Sequence, residues 1–387
     1  MRIAFLTPGF SRDEADGCIP VVRDLVRTMA RSHEVHVFAL RYPYRRDRYL
    51  LDGAVVDALG GARRTGLRRL AFLRWAWAFI LRQARRWRPD VFHAFWADEP
   101  GFLAVVVGRR LGIPTVVSVM GGELVALPDI GYGGQLSRLN RWLVRIALRG
   151  AARVTVGSWA VYRRAEAWVP TGRLERLPLG VDTQRFHPYA GPSSPWTEGG
   201  IHLLQVASLV PVKDPATALR AMAIVVGRRP DVHFHLVGDG PLREALRRLA
   251  RDLGIEPHVT FHGFVPRDRL PAYYRAAHLC VLSSRYESQG MVTLEAAACA
   301  RTTVGTAVGL IPDLEPATRA VPVGDPEALA EALTDVLRDP DMPKALGRAC
   351  LQAVAAGYTL THTVAHWEAL YEAITADSDG QPQHHPE

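Results

Sequence analysis

Short apolar runs alternate with longer segments whose apolar residues recur at three- and four-residue spacing, and the alternation repeats along most of the chain. It predicts βα units and a mostly parallel sheet, because strands covered on both faces read as continuous apolar runs and the helices between them as one-sided stripes. In the first third, Ile3–Leu6, Val35–Leu40, Val91–Ala94, Thr115–Val119 and Val154–Val156 read as strands, with helices over Ile19–Ser32, Gly101–Leu111 and Leu136–Arg149. From His187 to Gly200 a stretch rich in Pro, Gly and Ser interrupts the pattern, which is a linker signal. The alternation then restarts. Strands are expected at Ile201–Ala207, His233–Val237, Val259–His262, Leu279–Leu282 and Thr303–Gly305, and helices at Ala216–Val226, Leu242–Leu253, Leu270–Arg275 and Val292–Cys299.

The expected architecture is α/β: two Rossmann-like, doubly wound domains, 1–186 and 201–358, facing a central cleft and joined by a linker over 187–200. Trp367, Leu370 and Tyr371 share one helical face, so a last helix at 359–376 should dock on a domain surface, the N-terminal domain being the expected one. The polar tail 377–387 reads as disordered. In doubly wound sheets ligands sit at the carboxyl ends of strands, which places the expected active site in the cleft.

Composition narrows the class only slightly. About half the residues are apolar and charged residues are ordinary in number, as in a soluble globular protein. The opening MRIAFLTPGF reads as a strand rather than a signal peptide, and no apolar run approaches the ~20 residues of a membrane-spanning helix. Cys18, Cys280, Cys299 and Cys350 lie far apart with no C-x-x-C pair, which fits reduced thiols in the cytoplasm. No cluster of His, Cys and carboxylates has metal-ligand spacing, so no metal and no bound cofactor are expected. The net charge of +8 comes from arginine; Lys213 and Lys344 are the two lysines. Arginine usage this biased says little about a partner, and no basic stripe with spaced stacking aromatics points to nucleic acid.

Two segments carry candidate chemistry. In SSRYESQGMVTLEAAA, residues 283–298, Glu287 closes a loop and Gly290 opens a helix, so the N–H groups of Gly290, Met291 and Val292 form an anion site at the positive end of the dipole. Glu295, further along that helix, is placed to accept hydrogen bonds from paired ribose hydroxyls. In QVASLVPVKDPATALRA, residues 205–221, Lys213 projects from a loop after a strand, the position of a point charge for phosphate. HFHLVGDGPLREAL, residues 233–246, fails as a dinucleotide fingerprint because the third glycine falls at Arg243.

The spacing Glu287-x7-Glu295, with glycine three residues after the first glutamate, resembles the E-x7-E signature of glycosyltransferase family 4: GT-B fold, retaining, nucleotide-sugar-dependent. The resemblance covers about nine tenths of the chain and is strongest from Leu177 to Pro326. It implies that Glu287 sits by the transferred sugar, that the amides of Gly290 to Val292 hold the diphosphate, and that Glu295 binds ribose. Lys213 matches the family's diphosphate lysine, while Ser208 stands where an arginine is usual. Gly238 and Gly240 of VGDGP and Phe264 and Val265 of FHGFVP are implied to line the donor pocket. On the acceptor side the resemblance implies Gly17 in the loop after the first strand, and Met120 where a histidine is usual; His93 and Glu123 are further candidates for that side. LPLGVDTQRF, residues 177–186, resembles the family's hinge, with Leu179 in place of asparagine.

These readings converge on transfer of a sugar from a nucleoside diphosphate sugar, as co-substrate, to a hydroxyl of a glycan or lipid-linked acceptor, without a metal. The alternatives are a nucleotide-sugar epimerase of the same architecture and a catalytically weak nucleotide-sugar binding protein. The stretch 63–88 holds nine arginines, no carboxylate and the apolar centre LAFLRWAWAFIL. It reads either as a layer helix with one face on the sheet or as a peripheral contact with the inner membrane face.

Overall fold

The computed structural model describes residues 1–62, 64–189, 195–196 and 199–379. Arg63, half of the expected linker and the tail from 380 lie outside the described residues. The chain divides into two compact units, one made of Met1–Gly157, Val161–Pro178 and the segment from Thr361, the other of Ser158–Ala160 and Leu179–Leu360.

The first unit follows the order β1 (Arg2–Gly9), α1 (Pro20–Met29), β2 (Glu34–Tyr42), β3 (Arg46–Leu51), β4 (Ala54–Leu59), α2 (Gly66–Trp87), β5 (Val91–Phe95), α3 (Glu99–Leu111), β6 (Thr115–Val119), α4 (Arg138–Gly150), β7 (Arg153–Val156), α5 (Trp159–Ala165) and β8 (Leu174–Arg176). Its eight-stranded sheet runs β3-β4-β2-β1-β5-β6-β7-β8 and is parallel except for the β3–β4 hairpin. The order reverses between β1 and β5, so the loops after these two strands flank the place where such sheets bind ligands. Central residues such as Ile3, Phe5, Val37, Phe92 and Val117 are fully covered, which is why these strands read as unbroken apolar runs.

The second unit comprises β9 (Ile201–Val206), α6 (Pro215–Arg228), β10 (Val232–Val237), α7 (Arg243–Asp252), β11 (Val259–Gly263), α8 (Leu270–Ala276), β12 (Leu279–Leu282), α9 (Met291–Ala298), β13 (Thr303–Thr306), β14 (Arg319–Val321), α10 (Pro326–Arg338) and α11 (Met342–Gly357). Its six strands are ordered β11-β10-β9-β12-β13-β14, so the reversal falls between β9 and β12.

Three boundaries differ from the sequence reading. Leu179–Phe186, expected in the first domain, belong to the second unit, because Val181 and Phe186 pack into the core beside Tyr274 and Leu294. Trp196, expected in a linker, is buried in that same core with its ring 4.2 Å from the ring of His235 and nearly parallel to it. The final helix, α12 (Leu360–Asp379), continues three residues beyond 376, into the stretch expected to be disordered. From Thr361 it packs in the first unit, where Trp367 and Tyr371 are fully buried and the Tyr371 hydroxyl lies 2.5 Å from Nδ1 of His93 on β5.

Histidines cross the second sheet in file. Nε2 of His262 lies 3.1 Å from Nδ1 of His235, whose Nε2 lies 3.0 Å from Nδ1 of His202. Burial, reinforced by the neighbouring imidazoles of His262, His202 and His233, lowers the pKa of His235 to about 3. An unfolded histidine binds its proton near pH 6.5, so the unfolded chain takes up protons first and the fold loses stability as pH falls from about 6.5 towards 3. The melting temperature should therefore drop on acidification, and His235→Phe should flatten that acid limb; parallel limbs in variant and wild type would show that this histidine is protonated without cost.

Candidate functional site

At the reversal point of the second sheet, two loops are stitched together. Gln205, at the end of β9, donates from Nε2 to Oγ of Ser283 just past β12, at 3.0 Å, and Ser283 Oγ donates to the Lys213 carbonyl, also at 3.0 Å. The Arg285 amide donates to the Val212 carbonyl at 2.8 Å. These bonds bring Lys213 to Glu287: Nζ lies 2.5 Å from Oε1, and Ser284 Oγ donates to the same oxygen at 2.7 Å. Both charges are partly buried, so the pair is screened less than a surface ion pair and is held in one geometry by the backbone beneath it.

Gly290 caps α9 with φ +78°, a conformation that favours glycine. The helix starts at Met291, so its first amides, without partners inside the helix, open beside Glu287. Glu295 lies one turn in and is 7% exposed. Its Oε2 accepts from the Tyr274 hydroxyl at 2.8 Å, and the Arg267 guanidinium is 3.9 Å from Oε1. Burial and the Glu295 carboxylate raise the Tyr274 hydroxyl well above its usual pKa, which keeps it a donor.

Gly238, with φ +133°, and Gly240 serve the packing of loops. A Cβ would meet the Ala207 carbonyl at 2.0 Å from the first and the Leu209 carbonyl at 2.5 Å from the second, so the VGDGP turn can lie on the loop carrying Ser208. Ser208 is exposed, Phe264 is 76% exposed and Val265 is half-buried. The donor-side residues expected from the sequence thus lie at the carboxyl ends of β9 to β12, with Lys213, Glu287 and the start of α9 in direct succession.

In the first unit two of the expected acceptor-side residues, His93 and Glu123, are engaged in internal contacts. His93 is fully buried, bonded through Nδ1 to Tyr371 and through Nε2 to Ser118, and burial lowers its pKa to about 3; it is a neutral core residue that fastens α12 and not a sugar contact. Glu123 is 4% exposed and gathers three backbone amides, of Ala97 at 3.2 Å, Met120 at 3.0 Å and Gly121 at 2.6 Å. It clamps the loop after β6 to the loop after β5, where an open ligand group was expected. Burial and the nearby Asp98 push its pKa up to about 7 against the pull of the Met120, Glu123 and Ala97 amides. Met120 is half-buried with its amide in that clamp. Gly17 is exposed, and a Cβ there would meet nothing within 4 Å; its loop is organised by Asp16, which accepts from Tyr42 at 2.6 Å and from the Arg12 amide at 3.0 Å.

Residues 192–352 match the family described as Glycosyl transferases group 1, and residues 16–180 match the Glycosyl transferase 4-like domain. The chain belongs to the family 4-like glycosyltransferases. Among curated relatives in this glycosyltransferase family, the GDP-mannose-dependent alpha-(1-6)-phosphatidylinositol monomannoside mannosyltransferase of Mycolicibacterium smegmatis is 32% identical over 217 residues, 53% of this chain and 55% of its own length. The chain thus spans about half the length of that relative. The 2-deoxystreptamine N-acetyl-D-glucosaminyltransferase of Streptomyces fradiae is 29% identical over 372 residues, 85% of this chain and 86% of its own. Sucrose-phosphate synthase of Thermosynechococcus elongatus matches in structure with a TM-score of 0.76 at 21% identity, covering 97% of this chain and 99% of that one. HepE of Anabaena, solved with UDP and glucose, matches with a TM-score of 0.75 at 18% identity, covering 96% and 99%. At such identities the likeness is one of fold, and the fold is GT-B.

One residue of this candidate site carries no sequence signal. Gln289, buried between Glu287 and Gly290, donates from Nε2 to the Leu179 carbonyl at 2.5 Å and accepts from the Leu179 amide at 2.9 Å. It fastens the 177–186 segment through backbone alone, so leucine can stand where the family usually has asparagine. Gly309 then packs on the Gln289 carbonyl, which a Cβ would meet at 2.4 Å. Gln289→Leu should leave both groups of Leu179 without their partner and cost about 2 kcal/mol or more, read as a lower denaturant midpoint; an unchanged midpoint would show that this contact is not made in solution.

Proposed function

We propose that this chain transfers a sugar from a nucleoside diphosphate sugar to a hydroxyl of a glycan or lipid-linked acceptor, with retention at the anomeric carbon. The observation that carries the reading is the Lys213–Glu287 pair beside the open amino end of α9, at the reversal point of the second sheet. In the reaction the bond from the anomeric carbon to the diphosphate breaks, a bond to the acceptor oxygen forms, and the acceptor proton is released. Negative charge grows on the departing diphosphate. Lys213 and the amides of Gly290, Met291 and Val292 are the donors that meet it, with Ser208 adding a hydroxyl but no charge. An arriving diphosphate competes with Glu287 for the Lys213 ammonium, which leaves the carboxylate turned to the sugar.

Tyr274 holds one oxygen of Glu295 and so orients the carboxylate for the ribose hydroxyls. Phe264 is an exposed aromatic face for the base. The reading includes no metal: Lys213 and the dipole of α9 supply the positive charge that meets the diphosphate. Action in the cytoplasm belongs to the same reading. The curated relatives are transferases by name, and no observation favours the epimerase alternative.

A thermal-shift screen against UDP, GDP, ADP and their common sugar conjugates tests the site. One nucleotide should raise the melting temperature of the wild type, since a ligand that binds only the folded form stabilises it, and should fail to do so for Lys213→Ala and Glu295→Ala. With the identified donor, Lys213→Ala should lower turnover about 10²- to 10³-fold, the loss seen when one donor to a developing anion is removed. No shift with any nucleotide would overturn the site assignment.

A further inference from the structure

In the first unit α2 packs on α3 and α3 on α4. Each belongs to a crossover that carries the chain in the same direction along the sheet, from β4 to β5, β5 to β6 and β6 to β7, so the three helices form one layer on one face. The inner side of α2 is ordinary core: Phe72, Leu73, Ala76, Ile80 and Ala84 are buried. The outer side has an unusual charge pattern.

At 3.6 residues per turn, Leu67, Arg74, Ala78 and Arg85 run down the middle of the outer face of α2, flanked by Leu70 and Trp77 on one side and by Arg82 and Arg86 on the other. On α4 the exposed stripe is Arg138, Arg141, Trp142, Arg145 and Arg149. Arg109 and Arg110 are exposed on α3 between them. Leu67, Leu70, Trp77 and Trp142 stand 84%, 48%, 36% and 53% exposed. The general abundance of arginine accounts for the basic residues but not for the missing acids: the chain has 39 Asp and Glu, yet these three helices carry one carboxylate, Glu99. It is buried, with Oε1 2.8 Å from Arg41 and 2.5 Å from Arg69. The outer surface of the layer therefore presents arginine and apolar side chains without a compensating carboxylate.

A depression of about 440 Å³ opens on α2 between Trp77, Ala78, Leu81, Arg82, Arg85 and Arg86. It sets three guanidinium groups around an apolar floor, which suits a phosphate carried on an acyl stem. Tryptophan and leucine interleaved with arginine suit the boundary between headgroups and acyl chains. A soluble polyanion would use the charge but gain nothing from exposed Leu67 and Leu70.

We propose that the outer face of α2, α3 and α4 docks on an anionic lipid bilayer. The docking is independent of the donor site, whose residues belong to the second unit, so the transfer reading and this one fail separately.

Co-sedimentation of the full 387-residue chain with vesicles tests it. Vesicles of phosphatidylcholine with roughly 30–40% phosphatidylglycerol should bind the protein and pure phosphatidylcholine vesicles should not, since juxtamembrane arginines respond to the surface potential. The triple variant Arg74→Glu, Arg82→Glu, Arg85→Glu should bind on the order of a hundred-fold more weakly, and Trp77→Ser with Trp142→Ser should abolish the binding that persists at high salt. All five positions are on the outer face, and melting curves matching the wild type show that the variants are folded. Equal binding to neutral vesicles, or unchanged binding in both variants, overturns the proposal. So does capture by heparin or duplex DNA without vesicle binding, which would assign the face to a soluble polyanion.

Discussion

The hydrogen bonds that sew the loop after β9 to the loop after β12 are the constraint on which the Lys213–Glu287 pair rests. Without them Lys213 would be a mobile surface lysine and Glu287 a loop carboxylate, each free to turn to water. Ser283 ties the two together by accepting from Gln205 and donating to the Lys213 carbonyl, so the backbone of one loop is placed by the side chain of the other. The Arg285–Val212 backbone bond fixes the register between them. Together these bonds preorganise an ion pair at the one place in the second sheet where neighbouring strands send their connections to opposite faces. Preorganisation matters because donors already in position need no reorganisation when charge develops.

The two units place acidic residues by opposite logic. In the second, Glu287 and Glu295 are held with part of their bonding capacity engaged, by Lys213, Ser284, Tyr274 and the more distant Arg267. In the first, Glu123 is consumed by three backbone amides and Glu99 by two arginines, and both work as fasteners. Family membership attaches to the whole pattern of strands and loops. It does not make every acidic residue in a corresponding loop a ligand.

The fold was legible wherever strands are covered on both faces, because an unbroken apolar run such as Val91–Ala94 has few other uses. The β3–β4 hairpin was not, since RDRYLL opens with three charged residues and lies at a sheet edge where no covering layer imposes a pattern. In the same way the geometry of the candidate site was readable where it is local. Glu287, Gly290 and Glu295 are fixed by spacing within one loop and helix, and Lys213 by its place after a strand. Gln289 was unreadable because its partner, Leu179, is 110 residues away and takes part through its backbone, which leaves no trace in side-chain chemistry. His93 and Glu123 misled for another reason: residue type announces what a side chain can bond to, but the neighbours that use up that capacity, Tyr371 above all, come from distant sequence.

That Tyr371 and His93 meet at all has a consequence for how the molecule is made. The two residues are separated by 278 positions, and the whole of the second unit, Leu179–Leu360, is spun out between them. At ribosomal speeds the interval is on the order of tens of seconds. During it the second unit, nearly continuous in the chain, has everything it needs to fold, while the nascent first unit waits with the face of β5 around His93 and Phe95 uncovered. The earlier half of the protein is thus the later to be finished, and the order of synthesis is not the order of completion.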